Sequence, residues 1–253
     1  VMLAAVGYLQ FKLIRERQHV LAKIEKDTRL EIEAKTREQE EAIALQRKLH
    51  DDAEEERIDF YVRLLNGEMA AVVMTIDEYL PKLSLPFPVD VDIDLFGNIM
   101  QVRVWLPSKA LIPTERTSLS ETGKIQYESK EALEINKQYA ELCAAVVMQI
   151  GTILFARIPT LGKIYLSGMS RDGDKKECLI TLKIDRAQVE RAAQSSTALV
   201  ALQTLSAIYV CDEYLKLLPV DPIAPEEWMD VSARQIRNLQ VKIYQRLVLG
   251  ARK

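Results

Sequence analysis

Residues 89–107 read VDVDIDLFGNIMQVRVWLP. Asp90, Asp92 and Asp94 alternate with Val91, Ile93 and Leu95. After Gly97-Asn98 the alternation resumes through Met100, Val102 and Val104. Two period-two runs joined by a short Gly/Asn link predict a β-hairpin. On a strand the three carboxylates share one face, spaced about 6.5–7 Å along it. The valines, isoleucine and leucine share the other, which is what an antiparallel strand with one wet side needs. The same row is the chain's candidate metal site, because paired aspartates hold Mg²⁺ in phosphoryl-transfer enzymes. A calcium loop is excluded, since Leu95 stands where that loop needs glycine.

Downstream, residues 108–125 are polar and rich in Ser and Thr, and read as a loop. A long helix then ends at Pro159, with Tyr139, Leu142, Cys143, Val146, Ile150, Ile153 and Leu154 as its apolar stripe. A second hairpin is expected from GKIYLSGMS, the turn RDGDKKE and CLITLKIDR. A further helix follows from Ser195–Thr197 to about residue 218. Arg186, at the end of LKIDR, is expected to pair with Asp185 or Asp94. The order hairpin, helix, hairpin, helix predicts an α+β domain over 81–224. Its four-stranded, mostly antiparallel sheet would carry both helices on one face.

Upstream, residues 8–80 contain no proline and one glycine, Gly67. Glu, Lys, Arg, Gln and Ala dominate residues 15–57, so residues 1–80 read as a long charged helical stalk with a kink near Asn66-Gly67-Glu68. Leu21, Ile32 and Ile43 recur every eleven residues, a period that gives a nearly straight or slightly right-handed supercoil. Ile24, Ile32, Ile43 and Leu49 are the expected pairing residues of a homo-oligomeric coiled coil. Residues 1–9 are uncharged and are followed by Lys12, Arg15, Arg17 and Lys23. That run is shorter than the roughly 20 apolar residues of a bilayer span. It reads either as the end of a transmembrane segment at the cytoplasmic face of a bacterial inner membrane, or as a helix start that packs on a partner.

Residues 225–253 are expected to form a basic amphipathic helix after the proline-rich PVDPIAPEEW, helical from about 232 to 249. They carry Arg234, Arg237, Lys242 and Arg246, with an apolar stripe of Ile236, Leu239, Ile243 and Leu247 and no acid after residue 232. Residues 25–57 hold twelve acids against seven Lys and Arg. With both signs in one chain, docking on an acidic protein surface is the expected use of the four basic residues. Nucleic acid is the less favoured partner.

Composition excludes several chemistries. The two histidines, His19 and His50, both lie in the stalk, so the globular part has no Ser-His-Asp triad, Cys-His pair or histidine-ligated zinc. Cys143, Cys178 and Cys211 form no CxxC and read as reduced core residues. SGMSRDGDKK lacks the spacing of a phosphate loop, so no nucleotide cofactor is expected. The net charge of −3 does not mark a protein that coats nucleic acid.

LFARIPTLGKIYLSGM, ECLITLKIDR and LPVDPI, preceded by the strand VDIDL, resemble the C-terminal α/β domain of a group of uncharacterised bacterial proteins. The resemblance spans residues 87–224 and implies a bacterial origin and an α/β fold. It implies no activity. The expectation is thus a non-enzymatic assembly, scaffold or sensor protein. The alternatives are a Mg²⁺-dependent enzyme acting on nucleic acid through Asp90, Asp92 and Asp94, and a nucleic-acid-binding module.

Overall fold

The structure, a computed structural model, describes residues 2–120, 123–172 and 175–244, and the side chains of all of these except 2–13 and 172. It falls into two units, residues 1–60 and residues 61–253.

Helix α1 (Met2–Leu65) runs for 64 residues, about 96 Å at 1.5 Å per residue. Its charged side chains support it locally. Arg29 pairs with Glu33 at 3.0 Å and Arg57 with Glu54 at 2.6 Å, while the Thr28 and Thr36 hydroxyls donate to the carbonyls of Ile24 and Ile32. Exposed pairs of this kind contribute roughly 0.2–0.5 kcal/mol each. The expected kink is a break between two helices. Gly67 takes φ +73, its N–H closes on Leu64 O, and the Arg63 guanidinium grips the Glu68 carboxylate at 2.6 and 2.7 Å. A positive φ at a helix C-terminus favours glycine, so the helix stops here and a second one starts. Helix α2 (Met69–Tyr79) follows and buries Ala71, Val72, Thr75 and Ile76.

Strands β1 (Val89–Phe96) and β2 (Ile99–Trp105) pair antiparallel around Gly97, which has φ +60, as the hairpin reading predicts. The segment expected to be a loop instead forms an exposed hairpin, β3 (Glu115–Leu119) with β4 (Ile125–Ser129). Helix α3 (Ala132–Arg157) leads to β5 (Lys163–Asp172), which returns parallel to β2, and β6 (Lys175–Asp185) turns back on β5. The short helices α4 (Arg186–Ala192) and α5 (Ala198–Thr204) follow, then the two-residue strands β7 (Val210–Cys211) and β8 (Leu217–Leu218). Strand β9 (Arg237–Ile243) closes the order β6-β5-β2-β1-β9.

The sheet is mostly antiparallel as expected, but it corrects the expectation of four strands: it has five, and the β2–β5 pair is parallel. The reason is α3. A 26-residue helix between two hairpins carries the chain back over the sheet, so β5 starts at the end where β2 started and the pair is parallel. The second correction is the C-terminal segment, which is strand and not helix over 237–243. Leu239, Val241 and Ile243 alternate as well as Ile236, Leu239 and Ile243 recur. The open edge of β1 decides between them, because its N–H and C=O groups need partners. Residues 245–249 of the expected helix lie outside the described residues. The third correction is the helix expected up to residue 218. It ends at Thr204, after which Ser206 (φ 55) turns the chain and Ile208 pairs with Thr181 at the edge of β6.

One face of the sheet is apolar. Val91, Ile93, Met100, Val102, Ile164, Leu166, Ile180 and Leu182 are at most 1% exposed. Against this face α3 lays Cys143, Ala144, Val147, Ile150 and Leu154, all buried, which makes this long apolar helix a core element. Gly151 lets it come close: a Cβ there would stand 2.8 Å from Leu166 Cδ1. Arg186 departs from its expected pairing with a carboxylate. Its guanidinium donates to the carbonyls of Phe155, Ile158 and Pro159, at 2.6 to 3.2 Å, capping the end of α3. The three cysteines are free, with Cys143 and Cys178 buried. Burial pushes the Cys143 thiol up to about 12, so it is protonated and inert at neutral pH.

Candidate functional site

The aspartate row sits where the alternation puts it, on the polar face of β1. Each carboxylate already accepts from protein donors. Asp94 takes Arg103 at 2.8 Å and the Asn238 amide at 2.5 Å, Asp92 takes the Trp105 indole N–H at 2.9 Å, and Asp90 meets Arg171 at 3.4 Å. Asp94 faces Gln101 and Asp92 faces Arg103 in the register, yet each reaches two residues further along β2. The right-handed twist of the sheet favours such diagonal pairs. The Arg171 guanidinium also lies 3.9 Å above the Trp105 ring. Among the described residues no three His, Cys, Asp or Glu side chains gather as a ligand set. Asp90, Asp92 and Asp94 thus form a hydrogen-bonded ladder that ties β1 to β2, β5 and β9, and their carboxylates meet protein donors.

Of the four basic residues expected on one helical face, the two on β9 do not share a surface. Arg237 and Lys242 are five apart on β9 and so point to opposite sides of the sheet, with Lys242 opposite Asp90. Arg234 lies in the turn before the strand, its N–H 3.4 Å from Ser232 Oγ, and Arg246 lies outside the described residues. On α1, Ile24, Ile32, Ile43 and Leu49 are 50–60% exposed.

A strap of chain crosses the other half of the polar face. The Ile223 N–H donates to Thr181 Oγ1 at 3.0 Å, and Glu227 ends the crossing. Its carboxylate accepts from Lys163 at 2.9 Å and from the Tyr165 hydroxyl at 2.7 Å, with Lys183 Nζ at 4.0 Å. The Lys163 ammonium, then the Tyr165 hydroxyl, hold the Glu227 carboxyl down at about 2 from its ordinary 4.5. A depressed carboxyl stabilises the fold fully above its unfolded pKa and loses that contribution as pH falls to the folded one. Acidification from about 4.5 to about 2 is therefore expected to lower the urea midpoint of the native chain more than that of Glu227→Gln. Parallel midpoints across that window would show that Glu227 does not fasten the strap.

A cleft of about 540 Å³ lies at the carboxyl ends of β2 and β5. Four elements build it: the turn after β2 (Ser108, Lys109), the first half of α3 (Asn136, Tyr139), the far end of the β5–β6 hairpin (Ser170, Arg171, Glu177) and Lys216 before β8. Asn136 is 6% exposed and organises the walls. Its Oδ1 accepts from the Lys109 ammonium and its Nδ2 donates to the Tyr214 carbonyl at 2.8 Å. The Tyr139 hydroxyl donates to the Pro107 carbonyl at 3.0 Å, and burial raises the pKa of this phenol. The Asp212 carboxylate shapes the turn that carries Lys216 by accepting from the N–H groups of Tyr214 and Lys216, both at 2.9 Å. Sequence reading missed this cleft, although one signal was present. Asn136 stands three and seven residues before Tyr139 and Cys143, so it is a polar residue on the core-facing stripe of α3.

No protein-family model, curated protein or solved structure matches this chain.

Proposed function

We propose that the protein is an oligomeric scaffold: α1 helices of separate copies pair along their apolar residues, and each copy carries one α+β unit. The observation behind this reading is the row Leu21, Ile32 and Ile43, spaced by eleven and 58, 60 and 50% exposed. A single helix of 64 residues gains little from its exposed ion pairs, and helices of this length draw most of their stability from packing an apolar face. The eleven-residue period keeps these side chains on one side of a nearly straight helix, so identical copies meet along a continuous line. The seam is thin, and threonine, lysine and glutamine interrupt it at Thr28, Lys35 and Gln39. Pairing of moderate strength follows, with the acidic stretch 51–56 limiting how closely parallel copies approach.

The reading is tested on the full chain by light scattering across a range of micromolar concentrations. The native chain is expected to show a mass above the monomer that falls on dilution. The double variant Ile32→Glu/Ile43→Glu is expected to be monomeric throughout, with the urea midpoint of the α+β unit unchanged. A native chain that is monomeric at every concentration removes the proposal. The alternative of a Mg²⁺-dependent enzyme draws less support, because Asp92 Oδ2 and both carboxylate oxygens of Asp94 accept from Trp105, Arg103 and Asn238.

A further inference from the structure

We propose that the cleft between the carboxyl ends of β2 and β5 binds a small anionic, hydroxyl-bearing molecule: a phosphoryl or carboxylate group on a short polyol frame. Four observations converge. The first is position. Strands β2 and β5 are the one parallel pair in the sheet and are joined through α3, and ligands of mixed and parallel sheets settle outside the carboxyl ends of such strands. The second is size, since about 540 Å³ lies within the range of small-molecule sites, roughly 300–1,000 Å³.

The third is charge. Lys109, Arg171 and Lys216 line the cleft against a single acid, Glu177. One of these cations is already oriented: Lys109 is tied to buried Asn136, so it does not have to be ordered when an anion arrives. The Arg171 guanidinium is held on the polar face, on the Trp105 ring with Asp90 at 3.4 Å, which leaves Lys109 and Lys216 as the cations for the ligand. The fourth is unused bonding capacity. Among the described residues the Lys216 ammonium, the Ser170 hydroxyl and the Glu177 carboxylate make no ion pair and no hydrogen bond, although all three line one cleft. Ammonium and hydroxyl groups donate to an anion's oxygens. A carboxylate in the same wall accepts from a ligand hydroxyl and repels a second anionic end. The combination selects a molecule that is anionic at one end and carries hydroxyl groups at the other. A nucleotide is disfavoured, because the cations here are on side chains and no glycine-rich backbone cradle faces the site.

The test is calorimetric titration of the full chain at low salt with glucose 6-phosphate, with gluconate and with glucose. Saturable binding of one anion, with none for glucose, is expected. The anion that binds states whether the group is phosphoryl or carboxylate. Lys216 is exposed, so Lys216→Glu leaves the fold intact, with an unchanged melting temperature, and weakens binding at least tenfold. Ser170→Ala, which removes a donor without changing charge, is expected to weaken it by a smaller factor. The proposal is overturned if neither anion saturates, if glucose binds as well as either anion, or if Lys216→Glu binds as tightly as the native chain.

Discussion

Val241→Asp is expected to lower the stability of the α+β unit by about 3–4 kcal/mol, the scale of an unpaired charge placed in a core. Val241 is 4% exposed on β9, opposite Val91, and its neighbour two residues on, Ile243, is 1% exposed opposite Val89. An aspartate there either keeps its charge among valines or takes up a proton, and both cost free energy that the native chain does not spend. Arg237→Asp, at an exposed position of the same strand, is expected to stay within about 0.5 kcal/mol. The comparison separates strand from helix. On a helix with Ile236, Leu239 and Ile243 facing inward, position 241 lies on the opposite side and tolerates a carboxylate. Urea unfolding followed through Trp105, whose indole donates to Asp92 in the middle of the sheet, reports the midpoint. Equal midpoints for Val241→Asp and the native chain would remove β9 from the sheet.

The second large effect is at the contact between α3 and β5. Leu166 is fully buried and fills the notch that Gly151 leaves in α3. Leu166→Ala is expected to cost about 2–5 kcal/mol, the lost transfer of three carbons (Cγ, Cδ1 and Cδ2) plus the cavity that remains. Gly151→Ala alone sets a favourable term against an unfavourable one. Helix propensity gains about 1 kcal/mol, while the new methyl meets Leu166 Cδ1 at 2.8 Å and Ile184 Cδ1 at 3.1 Å. In the Leu166→Ala background the first of those contacts disappears, and the gain in propensity and filling is opposed only by the 3.1 Å approach to Ile184 Cδ1. The double variant is therefore expected to be more stable than Leu166→Ala, and more stable than the sum of the single effects predicts. Additive effects within error would mean that the two residues do not share this notch.

Much of the local structure was legible from residue types alone. The absence of proline and the density of Glu, Lys and Ala set α1, and Asn66-Gly67 marked where it stops, because few residues other than glycine accept φ +73 cheaply. The hairpin of β1 and β2 followed from alternation about Gly97, and with it the polar side on which Asp90, Asp92 and Asp94 stand. These are short-range effects: backbone conformation, side-chain direction and the period of apolar residues act within a few positions of one another.

What the chain does with those elements depended on contacts between distant residues. The donors that the aspartates meet include Asn238 and Arg171, which lie 144 and 81 residues from Asp94 and Asp90 respectively. The C-terminal segment had two apolar periods of similar quality, and the unsatisfied edge of β1 selected the strand. Arg186 found three carbonyls at the end of α3 in place of a carboxylate. The cleft is the clearest case, since Lys109, Asn136, Arg171, Glu177 and Lys216 belong to four separate elements and share no pattern along the chain. Sequence by itself determined each segment's local form and its inward face. Only the tertiary structure decided which segments became neighbours, because hydrogen-bond donors, charges and cavities at a shared surface are fixed by packing and not by spacing along the chain.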